Sequence, residues 1–191
     1  FKANPKEFKK TIDSLKRDEI NLLNKFISGT NLTSQLFEEI ATNTINHIFN
    51  AKIEAYRFIE LNRNETIYPE NFYDFRKNIN YNNIYFEEFY HYYNFLFPHF
   101  DNLAYEEFIK SFNKKSFTKD NVDYNLIKLG LIDNLVQNRE IKSRLTSFIT
   151  RKFLSFCKKQ EEANTIYNYY LEINKTNDES SKNYQQKRVI N

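Results

Sequence analysis

Residues 126–148 read LIKLGLIDNLVQNREIKSRLTSF, and the way this stretch folds decides the architecture of the C-terminal half. Just before it, Thr118 with Asp120 makes a good N-cap, and Val122, Leu126, Ile127 and Leu129 follow at helical spacing. Gly130 then stands where a helix commonly ends in a left-handed residue. Two short apolar runs, 131–136 and 141–145, flank Gln137, Asn138, Arg139 and Glu140, four polar residues able to turn a two-stranded β-hairpin. Thr146 caps a new helix through Phe148, Ile149, Phe153, Leu154 and Phe156, with a pattern that runs on towards Tyr169 or Leu171. The expectation is a helix, a short hairpin and a long final helix, followed by a polar tail over 174–191.

That order of elements resembles a winged helix. The residues that carry the resemblance are Leu126-Ile127-Lys128-Leu129-Gly130-Leu131-Ile132, then Arg144-Leu145-Thr146-Ser147-Phe148, then Phe153-Leu154. It covers about 106–158 and is similar to the segment found in some bacterial abortive-infection and other phage-defence proteins. The resemblance implies a fold for this segment and a setting in phage defence; it leaves the first hundred residues unmatched.

Working outward, the N-terminal part reads as helical. Asn4 followed by Pro5 is a helix start, and Phe8, Ile12, Leu15, Leu22, Phe26 and Ile27 recur until Ser28-Gly29. From Thr33 or Ser34 a stripe through Leu36, Phe37, Ile40, Ala41, Ile45, Ile48, Phe49, Ile53, Tyr56 and Ile59 predicts a second, long helix. A loop is expected over 62–68 and a short helix after Pro69. Pro98 is expected to end the aromatic segment that begins at Tyr85, and Asp101 to cap another short helix. The predicted fold class is mainly α: a helical domain over 1–100, a winged-helix-like module with one short β-hairpin over 101–173, and the tail.

Composition supports helices. The chain has 191 residues, 40% hydrophobic and 17% aromatic, with a formal charge of +3, which is too apolar for disorder throughout. Only 2 Gly and 3 Pro are present, far fewer than Gly-looped α/β enzymes or β-sandwiches use at their turns. Asn, Phe and Tyr number 27, 19 and 14, a bias that low-GC coding alone explains, so their abundance is not read as adaptation. With no Met present, a fragment or processed form is expected. No apolar run is long enough to cross a membrane, and a cytoplasmic setting is expected, or a secreted one if a signal peptide has been removed.

Chemistry is sparse. One cysteine, Cys157, excludes an internal disulfide and a cysteine-based zinc site. Glu88 and His91 have the Glu-x-x-His spacing of a di-iron helix, but no second copy exists, so neither metal nor cofactor is expected. The two glycines cannot form a phosphate loop, and no nucleophile-elbow or metalloprotease motif occurs. A binding module is therefore expected rather than an enzyme.

Charge gives the binding surface. Residues 113–160 hold eleven Lys or Arg against four acidic residues, a net of +7, so the remainder carries −4. Such asymmetry is the footprint of a phosphate-contacting surface, and Lys128, Arg139, Lys142, Arg144, Arg151 and Lys152 are the candidate contacts, with Arg139, Lys142 and Arg144 on the wing. Tyr85, Tyr90, Tyr92 and Tyr93 lie in a segment with more rings than one helix face can bury, and are the candidate partner-binding residues. The function expected is a regulatory module contacting nucleic acid or a partner protein through its basic segment. The alternative is a helical surface or secreted partner-binding protein of a low-GC microbe or parasite.

Overall fold

The computed structural model describes residues 4–30, 33–60, 68–112 and 117–175. Residues 62–67 of the loop expected over 62–68, Lys114 and Lys115 of the basic segment, and the tail from residue 176 lie outside them. Six α-helices are described: α1 (Pro5–Gly29), α2 (Gln35–Glu60), α3 (Tyr90–Ser111), α4 (Val122–Leu135), α5 (Arg139–Phe156) and α6 (Gln160–Ile173), with 3-10 turns at Glu70–Asn78 and Ile84–Phe86.

The first two helices begin as their sequences dictate. Asn4 accepts from the Lys6 amide with Pro5 behind it, and Ser34 accepts from the Phe37 amide at the head of α2. Phe8 of α1 stacks on Tyr56 of α2 at 4.1 Å, over a small core of Ile12, Phe49, Ile53 and Phe72.

The region expected to form a hairpin is helical, and no strand occurs among the described residues. Helix α4 runs straight through Gly130, which has no positive φ. Its lack of a side chain serves packing instead: a Cβ there would lie 3.2 Å from the Tyr169 hydroxyl of α6. Asn138, placed by the sequence in the turn of the hairpin, is the N-cap of α5 and accepts from the Ile141 amide. Asn121, not Thr118, caps α4, and Thr146 sits buried inside α5, donating to the Lys142 carbonyl. The physical reason is periodicity. Leu129, Ile132 and Val136, then Ile141, Leu145, Ile149 and Phe153, recur every three or four residues and all enter one core. A strand would have thrown alternate members of each set into water. The long final helix is also two: α5 stops at Cys157 and α6 starts at Gln160. Asn174, expected to open the tail, donates to Thr146 Oγ1 at 3.0 Å.

Helix α3 is the centre of the molecule. Ten of its residues are buried, with α2 against one side and α4 against another. It passes through Pro98, which was expected to end it, and Asp101 is an interior residue rather than a cap. Proline costs roughly 3 kcal/mol inside a helix. Burial of Phe95, Leu96, Phe100 and Phe108 outweighs that at about 1.5–3 kcal/mol each. Residues 100 and 101, the expected domain boundary, are consecutive positions in this helix.

What fixes α2 against α3 is a buried carboxylate. Glu54 is fully buried, yet both its oxygens are met. Arg76 donates to them from Nε at 2.8 Å and from Nη2 at 2.6 Å, His99 donates from Nδ1 at 2.8 Å, and Asn102 donates at 2.6 Å. Because the carboxylate only accepts, the Nδ1 proton of His99 is fixed, and Nε2 meets the Tyr81 hydroxyl at 2.7 Å. Arg76 also reaches Glu106 at 2.9 Å, and Glu106 pairs in turn with Arg57. Burial alone would raise the Glu54 carboxyl; the hydrogen bonds and charges of His99 and Arg76 overcome it and hold the carboxyl below the ordinary glutamate range. Removing the carboxylate leaves the Arg76 guanidinium to Glu106 alone and takes the acceptor from buried His99 and Asn102, so Glu54→Ala is expected to lower the unfolding free energy by about 3–5 kcal/mol in chemical denaturation. A loss below about 1 kcal/mol would show that the network is incidental to the packing.

Candidate functional site

Helices α3, α4 and α5 enclose a cleft of about 340 Å³, within the range of roughly 300–1,000 Å³ usual for ligand sites. Its walls are Phe97, Tyr124, Phe148, Ile149, Phe153 and Phe156. Lys119, Asp120 and Lys152, all exposed, stand at its rim. On its floor Lys128 pairs with Asp101 at 2.5 Å, and the same ammonium lies 4.3 Å from the centre of the Tyr124 ring. Tyr124 donates to Asp101 Oδ1 at 3.2 Å.

The floor is close to neutral. Burial lowers the Lys128 ammonium from its ordinary range, Asp101 opposes the shift, and Lys152 and Lys119 add to it. The Tyr124 hydroxyl is pushed up by burial and then by Asp101, so it stays protonated. No histidine or cysteine enters the cleft, and among the described residues no group of three metal-ligating side chains exists. This arrangement can hold an aromatic, anionic group against rings with cations at the rim; it offers no evident nucleophile.

The candidate phosphate contacts separate into two groups. Lys128 is a core residue, 6% exposed and committed to Asp101, so it does not face solvent as expected. Lys142 pairs with Asp133 at 2.7 Å, and Arg144 pairs with Glu88 at 2.7 Å while lying over the Tyr93 ring at 4.9 Å. Glu88, considered with His91 for metal, is thereby taken by a cation. Arg139, Arg151 and Lys152 are exposed and form no ion pair among the described residues. On α5 the residues Arg144, Phe148, Lys152 and Phe156 recur at i+4, a ridge that alternates cation and ring about 6 Å apart. Phe148 is 41% and Phe156 is 68% exposed. Neither ring was singled out from the sequence, although their spacing from the cations was visible there.

The four candidate tyrosines also divide. Tyr85 and Tyr90 are exposed. Tyr92 and Tyr93 are buried, and each donates to a carbonyl, that of Asn80 at 2.9 Å and that of Glu87 at 2.8 Å. They build the core rather than a partner surface, because a helix buried on several sides takes up more rings than the one face assumed.

Asp101→Ala is expected to lower stability by about 3–5 kcal/mol, since it leaves the Lys128 ammonium buried without a partner, whereas Lys128→Met should cost clearly less. Denaturation of the two variants within about 0.5 kcal/mol of the parent would contradict a structural ion pair. Among the described residues no helix is long and apolar enough to cross a membrane. No protein-family model, no curated protein and no solved structure matches the chain.

Proposed function

We propose that the chain is a binding module that holds single-stranded nucleic acid along α5. The observation that carries this reading is the ridge Phe148, Lys152 and Phe156, with Arg151 beside Phe148 and the aromatic cleft next to it. Single-strand binders combine cations that track the phosphates with exposed rings on which bases stack, and they need no groove-reading element. Phe148 and Phe156 are exposed on the same face and both line the cleft, so they form a contiguous apolar patch of the kind that marks a binding site. A base edge can enter the cleft beside it, where Lys119 and Lys152 stand within reach of a phosphate.

Fluorescence anisotropy with a single-stranded oligonucleotide at low salt is expected to show binding that weakens as salt rises, with each phosphate contact contributing about 0.7 to the logarithmic slope. Arg151→Glu with Lys152→Glu should weaken it at least about tenfold and flatten the slope. Phe148→Ala with Phe156→Ala should cost on the order of 1–3 kcal/mol per stacked base while leaving the slope unchanged. Absence of binding at low salt, or binding indifferent to both pairs of substitutions, would remove the proposal.

A further inference from the structure

A second cleft, of about 420 Å³, lies between α2 and the connection that follows Glu70–Asn78. It shares no residue with the α5 face. Its lining is chiefly amide: Asn43, Asn46 and Asn50 from α2, with Asn78 opposite. Positions 43, 46 and 50 fall on one stripe of α2 at i, i+3 and i+7, the spacing that elsewhere on this helix carries core residues.

These amides are unspent. Asn80 and Asn83, also at this cleft, use their side-chain oxygens in turns, accepting from the Asn82 and Tyr85 amides at 3.0 Å each. The side chains of Asn43, Asn46, Asn50 and Asn78 make no hydrogen bond among the described residues, although Asn50 is only 8% exposed. His47 adds a buried Nδ1 without a partner among the described residues, its ring held by Phe86 at 4.8 Å and Tyr92 at 4.9 Å. Exposed asparagines elsewhere, such as Asn71 and Asn94, also make no side-chain hydrogen bond among the described residues; what marks this cleft is that Asn43, Asn46 and Asn50 fall on one stripe of α2 that lines it. Asn78 is exposed and Asn43 and Asn46 are half-buried, so water reaches their amides; the His47 Nδ1 is withdrawn from water, where polar groups normally find partners.

The lining also sets the ligand's charge. Burial, then His91, brings the His47 imidazole down to about 4, so at neutral pH it is uncharged. Lys16 and Glu39 contribute opposite charges to the lining, and Glu39 is exposed. Amides and a neutral imidazole both donate and accept, and they match hydroxyl groups, which do the same. Half-buried Phe75 supplies an apolar face for ring C–H groups.

We propose that this cleft binds a neutral, polyhydroxylated small molecule of saccharide type, its hydroxyls taken by the amides of Asn43, Asn46, Asn50 and Asn78. Saturation-transfer NMR followed by calorimetry, on a panel of neutral hexoses and N-acetylhexosamines with ribonucleosides and sugar phosphates as comparators, tests this. At least one neutral sugar is expected to bind with a Kd of about 1 mM or tighter. Asn43→Ala with Asn46→Ala is expected to weaken it about tenfold or more. Asn46→Asp, which keeps the side-chain size, should also weaken it, while Asn94→Ala on the exposed side of α3 leaves it unchanged. The proposal is overturned if no neutral sugar binds up to about 10 mM, if only nucleosides or phosphates bind, or if binding survives both cleft variants in protein that melts like the parent.

Discussion

A carboxylate that has lost all contact with water must be met by donors from the protein, and Glu54 imposes that condition on three separate parts of the chain. Arg76 comes from the 3-10 turn and His99 and Asn102 from α3, so α2, the connection and the central helix can adopt only a register that brings all of them to one point. Arg76 and Arg57 then share Glu106, one turn further along α3, and Tyr81 closes the far side of His99. An apolar replacement of similar volume could pack as tightly, but it would not fix the register in this way. With α3 so anchored, its other side is free to carry α4, and through α4 come α5, with its ridge of cations and rings, and α6.

Much of the helical content is legible in the letters, and the reasons for the failures are specific. Asn4-Pro5 and Ser34 begin their helices where the sequence places them, because a cap is a local device. The hairpin error arose from giving Gly130 a local role. Its role is tertiary, a close approach by Tyr169 some forty residues later, which no local signal announces. The i+4 spacing of Ile141, Leu145, Ile149 and Phe153 did announce a helix, and it outranks a four-residue polar group as evidence for a turn. Pro98 misled for the opposite reason: a local cost of roughly 3 kcal/mol was real but smaller than the burial of a central helix. The Glu54 network was illegible because its members lie 22 to 48 residues apart and each resembles an ordinary surface residue when read alone.

The candidate site shows the same division. Counting charges finds a basic segment, but counting does not see pairing. Lys128, Lys142 and Arg144 are each matched by a carboxylate from elsewhere in the fold, so the surface that remains is narrower than +7 suggests. Lys128 stands between Ile127 and Leu129 in a helix that is apolar on several sides, and that context is a burial signal. The exposed rings of α5 become meaningful only once the helix is known to run from Arg139 to Phe156, since a hairpin would have placed Arg144 and Phe148 on different elements. The two clefts divide between them the two kinds of residue in which the chain is rich, rings with cations in one and unpaired amides in the other.

The central claim is that Glu54 is an ionised carboxylate held by Arg76 and His99. A group whose carboxyl is depressed in the folded state contributes stability fully above its unfolded-chain value and loses that contribution as pH falls through the folded value. Following the Glu54 side-chain carboxyl carbon by NMR through an acid titration measures this directly. The account predicts that the carboxyl remains ionised in the folded protein as the pH falls past 4.5, the ordinary glutamate value, and takes up its proton only as the fold is lost. A Glu54 that protonates at or above 4.5 while the protein stays folded would contradict it.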